Sequence, residues 1–187
     1  EYDATDFLKA NLLYPKDSEV LAYLARYYLY IDKNIEALYY INDAIQLKPK
    51  ESDLLEIRAK IKTKLGELQE ANKDYTDAVL FDKFNAERYL HRALFLQDFQ
   101  NDTLNSIQDL SRAILLKPED ENYIYYRART YFEIQDFNNA EKDLMTILKL
   151  NPINIDAINV LALIYEEELK SNEAISLYTS GIEQASD

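Results

Sequence analysis

The chain has 187 residues, 48% of them hydrophobic and 29% charged, a composition that folds rather than stays disordered. Its formal net charge of −13 opposes binding to nucleic-acid phosphates. The absence of cysteine removes disulfide frameworks, thiolate metal sites and cysteine nucleophiles.

Two glycines and four prolines leave few breaks, and the pattern predicts helices throughout. Residues 3–14 read as a lone helix carrying Phe7 and Ala10, stopped by Leu-Leu-Tyr-Pro at Pro15. A fixed period follows. Pro15 and Pro49 are 34 residues apart, and so are Pro118 and Pro152. Such a period is the mark of stacked repeats. The predicted units are 18–51, 52–85, 86–120, 121–154 and 155–187, behind a truncated unit at 1–17. The third unit holds one extra residue, placed near Asn101 and Asp102.

Within each unit the apolar residues recur at helical spacing, as in Leu21, Leu24, Ala25 and Tyr28, then Ala37, Ile41, Ala44 and Ile45. Polar breaks such as Asp32-Lys33-Asn34 and Gln135-Asp136 separate two helices, and Ser18, Ser52, Asp136 and Ser171 are the expected N-caps. Position 8 is small in every unit: Ala25, Ala59, Ala93, Ala128 and Ala162. Position 20 is Ala37, Ala71, Ser106, Ala140 and Ala174, and position 27 is Ala44, Ala78, Ala113, Ile147 and Gly181. Position 24 is large: Ile41, Tyr75, Leu110, Leu144 and Tyr178. Small residues at fixed places let antiparallel helices approach, and large ones fill the space opposite.

This pattern resembles the tetratricopeptide repeat family (TPR), from position 18 to the C-terminus plus the leading half-unit. The family's frequent Trp at position 4 and Gly at position 8 are absent, and Lys83 and Ser186 stand where its proline would. The resemblance implies an all-α, right-handed α-solenoid of stacked helix–turn–helix units. It also implies a concave groove lined by the first helix of each unit. Carried onto this chain, the groove residues are Arg26, Tyr30, Lys60, Lys64, Leu90, Leu94, Tyr125, Arg129 and Phe132. Arg26, Lys60 and Lys64 make a local basic patch, fit for a carboxylate-bearing peptide. Surface pairing within one helix also explains Glu56, Lys60 and Lys64, which are spaced four apart. The carboxylate clamp of the family's chaperone-tail binders finds no matching register; the first three units offer Ala22, Arg26, Ile57, Glu87 and His91.

Charge recurs at two internal positions together. Arg58, Arg92 and Arg127 stand at position 7, with Asp74, Asp109 and Asp143 at position 23, while the outer units carry Leu24 with Tyr40 and Leu161 with Leu177. The expectation is an arginine–aspartate bond between the two helices of each middle unit. Tyr27, Tyr28, Tyr30, Tyr39 and Tyr40 form a denser aromatic cluster than packing requires, a second contact patch.

Enzymatic chemistry finds no support. His91 is the sole histidine and reads as a bystander, and Glu166, Glu167 and Glu168 are consecutive, so they point in different directions. Asn101-Asp102-Thr103 fits a glycosylation sequon that is common by chance. No apolar run approaches the roughly 18 residues that cross a bilayer. The array starts on a second helix and ends without a polar capping helix, so an excised fragment, or self-pairing through the ends to a homo-oligomer, is expected. The expected function is a non-enzymatic scaffold or adaptor without cofactor or metal, holding a protein or peptide partner in the groove. The competing expectation is a self-associating structural module that contacts through its helix ends or tyrosine patch.

Overall fold

The computed structural model describes residues 5–13 and 16–185. Pro15, the ends of the expected leading helix at 3 and 14, and Ser186 lie outside the described residues. Among the described residues the regular structure is entirely helical: α1 (Thr5–Leu13), α2 (Ser18–Tyr30), α3 (Asn34–Leu47), α4 (Ser52–Leu65), α5 (Leu68–Phe81), α6 (Ala86–Gln100), α7 (Thr103–Leu116), α8 (Glu121–Glu133), α9 (Phe137–Leu150), α10 (Ile155–Glu167) and α11 (Ser171–Ala185). They form two compact units, 1–95 and 96–187, with the boundary inside α6.

In the first unit α2 packs on α3 and α4 on α5, and α3 also meets α4. Its core joins Leu21, Ala25, Ala37, Ile41, Ala44, Leu55 and Ile61. A smaller cluster sets Ala59 and Ala71 against Tyr75 and Phe95. In the second unit α8 pairs with α9 and α10 with α11, while α7 packs on α8 and α9 on α10. Its core joins Ile124, Ala128, Ala140, Leu144, Ile147, Leu161 and Ile164. The alanines of position 8 are buried without exception, which is what lets the backbones come close.

A common turn ends the first helix of four hairpins. Asp32, Gly66, Gln135 and Leu169 all have positive φ, between 59° and 79°. The next residue's N–H closes the end by donating back five residues: Lys33 to the Tyr28 carbonyl at 2.8 Å, Glu67 to Lys62 at 2.9 Å, Asp136 to Tyr131 at 2.9 Å and Lys170 to Tyr165 at 2.7 Å. This is the Schellman closure, which satisfies the last carbonyls of a helix. At Asn101, also at positive φ, Asp102 donates instead to Leu96, six residues back, at 3.0 Å. The extra residue is thus taken up by a wider last turn of α6.

Three of the expected caps, Ser18, Ser52 and Ser171, are displaced by one residue into their helices. Asp17 caps α2, accepting from the N–H groups of Glu19 and Val20, so Ser18 is the first helical residue. Glu51 precedes α4 without a side-chain cap bond, and Ser52 is likewise inside the helix. Asp136 caps α9 as expected, accepting from the Asn139 N–H. Ser171 is the first residue of α11.

Two arginine–aspartate pairs tie the hairpins together. Arg58 donates from Nε and Nη2 to Asp74 at 2.8 and 2.7 Å, and Arg127 does the same to Asp143 at 2.8 and 2.7 Å. Each guanidinium also reaches the preceding hairpin. Arg58 Nη1 donates to Asn42 Oδ1 at 3.3 Å, and Arg127 Nη1 to Ser111 Oγ at 3.0 Å. The planar fork thus staples three helices. Arg92 and Asp109 fall on opposite sides of the boundary between the units, and their pairing stands as a sequence expectation.

Candidate functional site

The first helices of the first unit line an open cavity of about 330 Å³. Glu19, Ala22, Tyr23 and Arg26 come from α2, Lys48 and Glu51 from the turn before α4, and Asp53 and Leu54 from α4. Helical spacing puts Glu19, Tyr23 and Arg26 on one face of α2. The Arg26 guanidinium lies 5.9 Å from the Tyr23 ring centroid, and that ring stacks on Phe7 with centroids 4.8 Å apart. A cation over an aromatic face is held in place while it stays solvent-exposed. The cavity therefore offers a positioned guanidinium beside an aromatic wall, with Lys48 as a second cation and three carboxylates on the rim.

Deeper on the same face lies an ionic network centred on Glu56, which is 6% exposed. Lys60 Nζ donates to it at 2.6 Å, Arg88 donates to it and to Asp53, and His91 Nδ1 lies 3.0 Å away. Arg88 is also 3.7 Å from Asp82. Burial pushes the Glu56 carboxyl up, but the hydrogen bonds and charge of His91 and Lys60 outweigh it and hold its pKa at about 2. A buried carboxylate can stay ionised only with such company.

The second unit has a larger cavity, about 720 Å³, built from equivalent places. Asn122 and Tyr125 of α8 line it, with Asp156 of α10 and Lys117, Glu119 and Asp120 of the turn before α8. Burial raises the pKa of the Tyr125 hydroxyl, Asp156 adds to the rise, and Arg129 works against it. This cavity is acidic where the first unit's carries Arg26.

The residues expected in the groove divide. Arg26 and Tyr125 line the cavities. Lys60 is bound to Glu56, and Lys64 Nζ lies 3.0 Å from Asp32 on the surface, so both patch lysines are held by carboxylates. Tyr30 is 75% exposed at the end of α2. Leu90 and Leu94 are half-buried on α6. Arg129 is exposed, 3.4 Å from Glu133. Phe132 packs on Phe137, centroids 5.8 Å apart, at the edge of the second core.

Two expectations need correction. His91 is no bystander, because it sits against Glu56. The tyrosine cluster is in part packing: Tyr28 stacks on Tyr40 at 5.3 Å and 9°, with Tyr27 and Tyr39 edge-on to that pair, while Tyr30 and Tyr39 reach solvent. Arg88 went unremarked in the sequence. The signal was there, since it follows Asp53 by 35 residues and Glu56 by 32, one repeat on.

Among the described residues no group of three or more His, Asp or Glu is placed to hold a metal ion. No described helix is long and apolar enough to cross a membrane.

No family model matches the chain. It is 29% identical over 136 residues to the BBSome complex member BBS4 of Bos taurus, a match covering 72% of this chain and 25% of that protein. The chain thus spans about a quarter of the relative's length. Among solved structures it is similar to the MamA protein, with a TM-score of 0.75 at 17% identity over 89% of this chain and 90% of that one. It is similar to YrrB, described as a TPR protein with an unusual peptide-binding site, with a TM-score of 0.73 at 15% identity over 97% and 93%. A tetratricopeptide repeat protein from Parabacteroides merdae gives a TM-score of 0.77 at 22% identity, over 90% of this chain and 66% of that one. The fold is that of the tetratricopeptide repeat proteins.

Proposed function

We propose that this chain, with its tetratricopeptide-type fold, is a non-enzymatic scaffold that holds a peptide or protein segment on the first-helix face of its hairpins. In this reading the repeats run 18–51, 52–85, 86–120, 121–154 and 155–187. The observation that carries the proposal is the recurrence of one cavity at equivalent places in both units, lined in one by Arg26 and Tyr23 and in the other by Tyr125 and Asp156. An open recess with an aromatic wall and a few fixed charges suits an extended or helical segment better than a small molecule. That YrrB carries a peptide-binding site on a similar fold agrees with this reading.

Arg26 is the anchor for an acidic group on the partner, because its cation faces solvent over Tyr23. Lys60 and Lys64 contribute field rather than direct contact, since each already holds a carboxylate. Leu90 and Leu94 extend the apolar part of this face. In the second unit Tyr125, Arg129 and Phe132 take the same part.

Selection of peptides from a random display library on the folded protein tests this. Recovered sequences should share a carboxylate next to an apolar residue, and Arg26→Glu should abolish their capture while circular dichroism stays unchanged. Recovery of no consensus, or a consensus indifferent to Arg26→Glu and Tyr125→Ala, would move function to the exposed Tyr30 and Tyr39.

A further inference from the structure

We propose that Arg88 is a positioning residue for the first unit's recess: by holding Asp53 it keeps Arg26 open to an anionic group of a partner. This role rests on the reading of that recess as a binding site, and it names the residue that sets the recess's charge. The charged lining consists of the cations Arg26 and Lys48 and the carboxylates Glu19, Glu51 and Asp53. Two cations against three carboxylates would by themselves repel an anion. Arg88 alters that balance from beneath. It lies outside the lining, 9% exposed, and donates from Nη2 to Asp53, an exposed residue in the first turn of α4.

Glu56 fixes Arg88 for this role. Arg88 Nη1 donates to Glu56 Oε2, while Oε1 of the same carboxylate accepts from Lys60 Nζ at 2.6 Å and lies 3.0 Å from His91 Nδ1. With one arm of the rigid guanidinium fork held there, the other is directed at Asp53. Nε, 3.7 Å from Asp82, makes no hydrogen bond. A cation so far out of solvent is screened little by salt, so Asp53 is neutralised where it stands. Among the described residues no carboxylate pairs with Arg26, whose guanidinium lies over the Tyr23 ring at 5.9 Å from its centroid. With Asp53 neutralised, the recess carries two cations against two free carboxylates, and Arg26 is the cation set over an aromatic wall.

Reaction of Arg26 with phenylglyoxal on the folded full chain, followed by mass spectrometry of a digest, reads this without any partner. The reagent attacks the uncharged guanidine, and a carboxylate brought beside a guanidinium favours the charged form. Arg88→Gln frees Asp53 and leaves Glu56 in the company of Lys60 and His91. It should slow modification of Arg26 by about two- to five-fold, the effect of an exposed ion pair. Adding Asp53→Asn should restore the wild-type rate, which a mere loss of packing would not allow. Asp53→Asn alone, a change at an exposed place, should leave the Arg26 rate as in wild type, because Arg88 already neutralises that carboxylate. An Arg26 rate indifferent to Arg88→Gln in a folded protein, or no rescue by the second substitution, would overturn the proposal. A faster rate in Asp53→Asn alone would overturn it too, even where Arg88 variants fail to fold. A display selection without a carboxylate consensus, with the rates in the expected order, would remove the peptide reading and leave the role of Arg88 standing.

Discussion

Arg58 and Arg127 occupy the same place in their hairpins, yet their loss should be felt differently. Asp74 has a second cation, Lys62 Nζ at 2.8 Å, so Arg58→Leu leaves it paired. That variant should lose about 1.5–3 kcal/mol, the worth of charge-assisted hydrogen bonds. Arg127→Leu strands the buried Asp143 and should cost about 3–5 kcal/mol, most of it recovered in the Arg127→Leu/Asp143→Leu double variant. Urea midpoints of the four proteins measure this, and an Arg127→Leu variant as stable as wild type would sink the buried-pair account. Glu56 makes a pH prediction. Its carboxyl is held at about 2, below the ordinary value of 4.5. A depressed carboxylate gives stability that is fully present above the unfolded pKa and lost as pH falls through the folded one. The stability gap between wild type and Glu56→Gln should therefore be largest at neutral pH, about 3 kcal/mol or less, and shrink between pH 4.5 and 2. A gap constant from pH 7 to pH 2 would show that Glu56 is not held ionised by its neighbours.

At the scale of the helix, the shared turn has three ordinary side chains and one glycine at positive φ, Asp32, Gln135 and Leu169 beside Gly66, and the wider turn at Asn101 adds a fourth. Left-handed backbone costs a branched or long side chain about 1 kcal/mol that glycine does not pay. Leu169, 89% exposed, has no packing to lose. Leu169→Gly should stabilise the second unit by about 0.5–1 kcal/mol, and Gly66→Ala should destabilise the first by about 1 kcal/mol, although a Cβ at Gly66 meets nothing within 4 Å. Calorimetry of both decides it; a neutral Gly66→Ala would show that the turn carries no strain. These turns were half legible. Asp32-Lys33-Asn34 and Gln135-Asp136 read as breaks from polarity alone, but Leu169 at the same place has no turn chemistry, and only the repeat places it. The caps slipped by one residue at Ser18, Ser52 and Ser171; at Ser18 the preceding Asp17 takes the capping place and accepts from two backbone N–H groups, whereas Glu51 stands before Ser52 without a cap bond.

Across the molecule, the helical class was legible because small and large residues alternate at a fixed period, so each helix announces its packing face. Arg58 with Asp74 and Arg127 with Asp143 were legible because both partners lie in one repeat and change together. The Glu56 network was not, since Arg88 and His91 reach it from the next repeat, and that register is set by packing. Arg26 parts from Lys60 and Lys64 for two reasons: Lys60 pairs with Glu56 four residues back on its own helix, which the spacing already allowed, and Lys64 pairs with Asp32 of the preceding repeat, which the spacing did not show. What remains is one exposed arginine over Tyr23 in the first unit and, within the second, an acidic recess lined by Tyr125. The most direct measurement is hydrogen exchange of the full chain with and without a display-selected peptide. The account predicts protection concentrated in α2 and α4, or in α8 and α10, and its loss in Arg26→Glu or Tyr125→Ala. Protection confined to α3, α5 or α9, with the first helices unchanged, would contradict it.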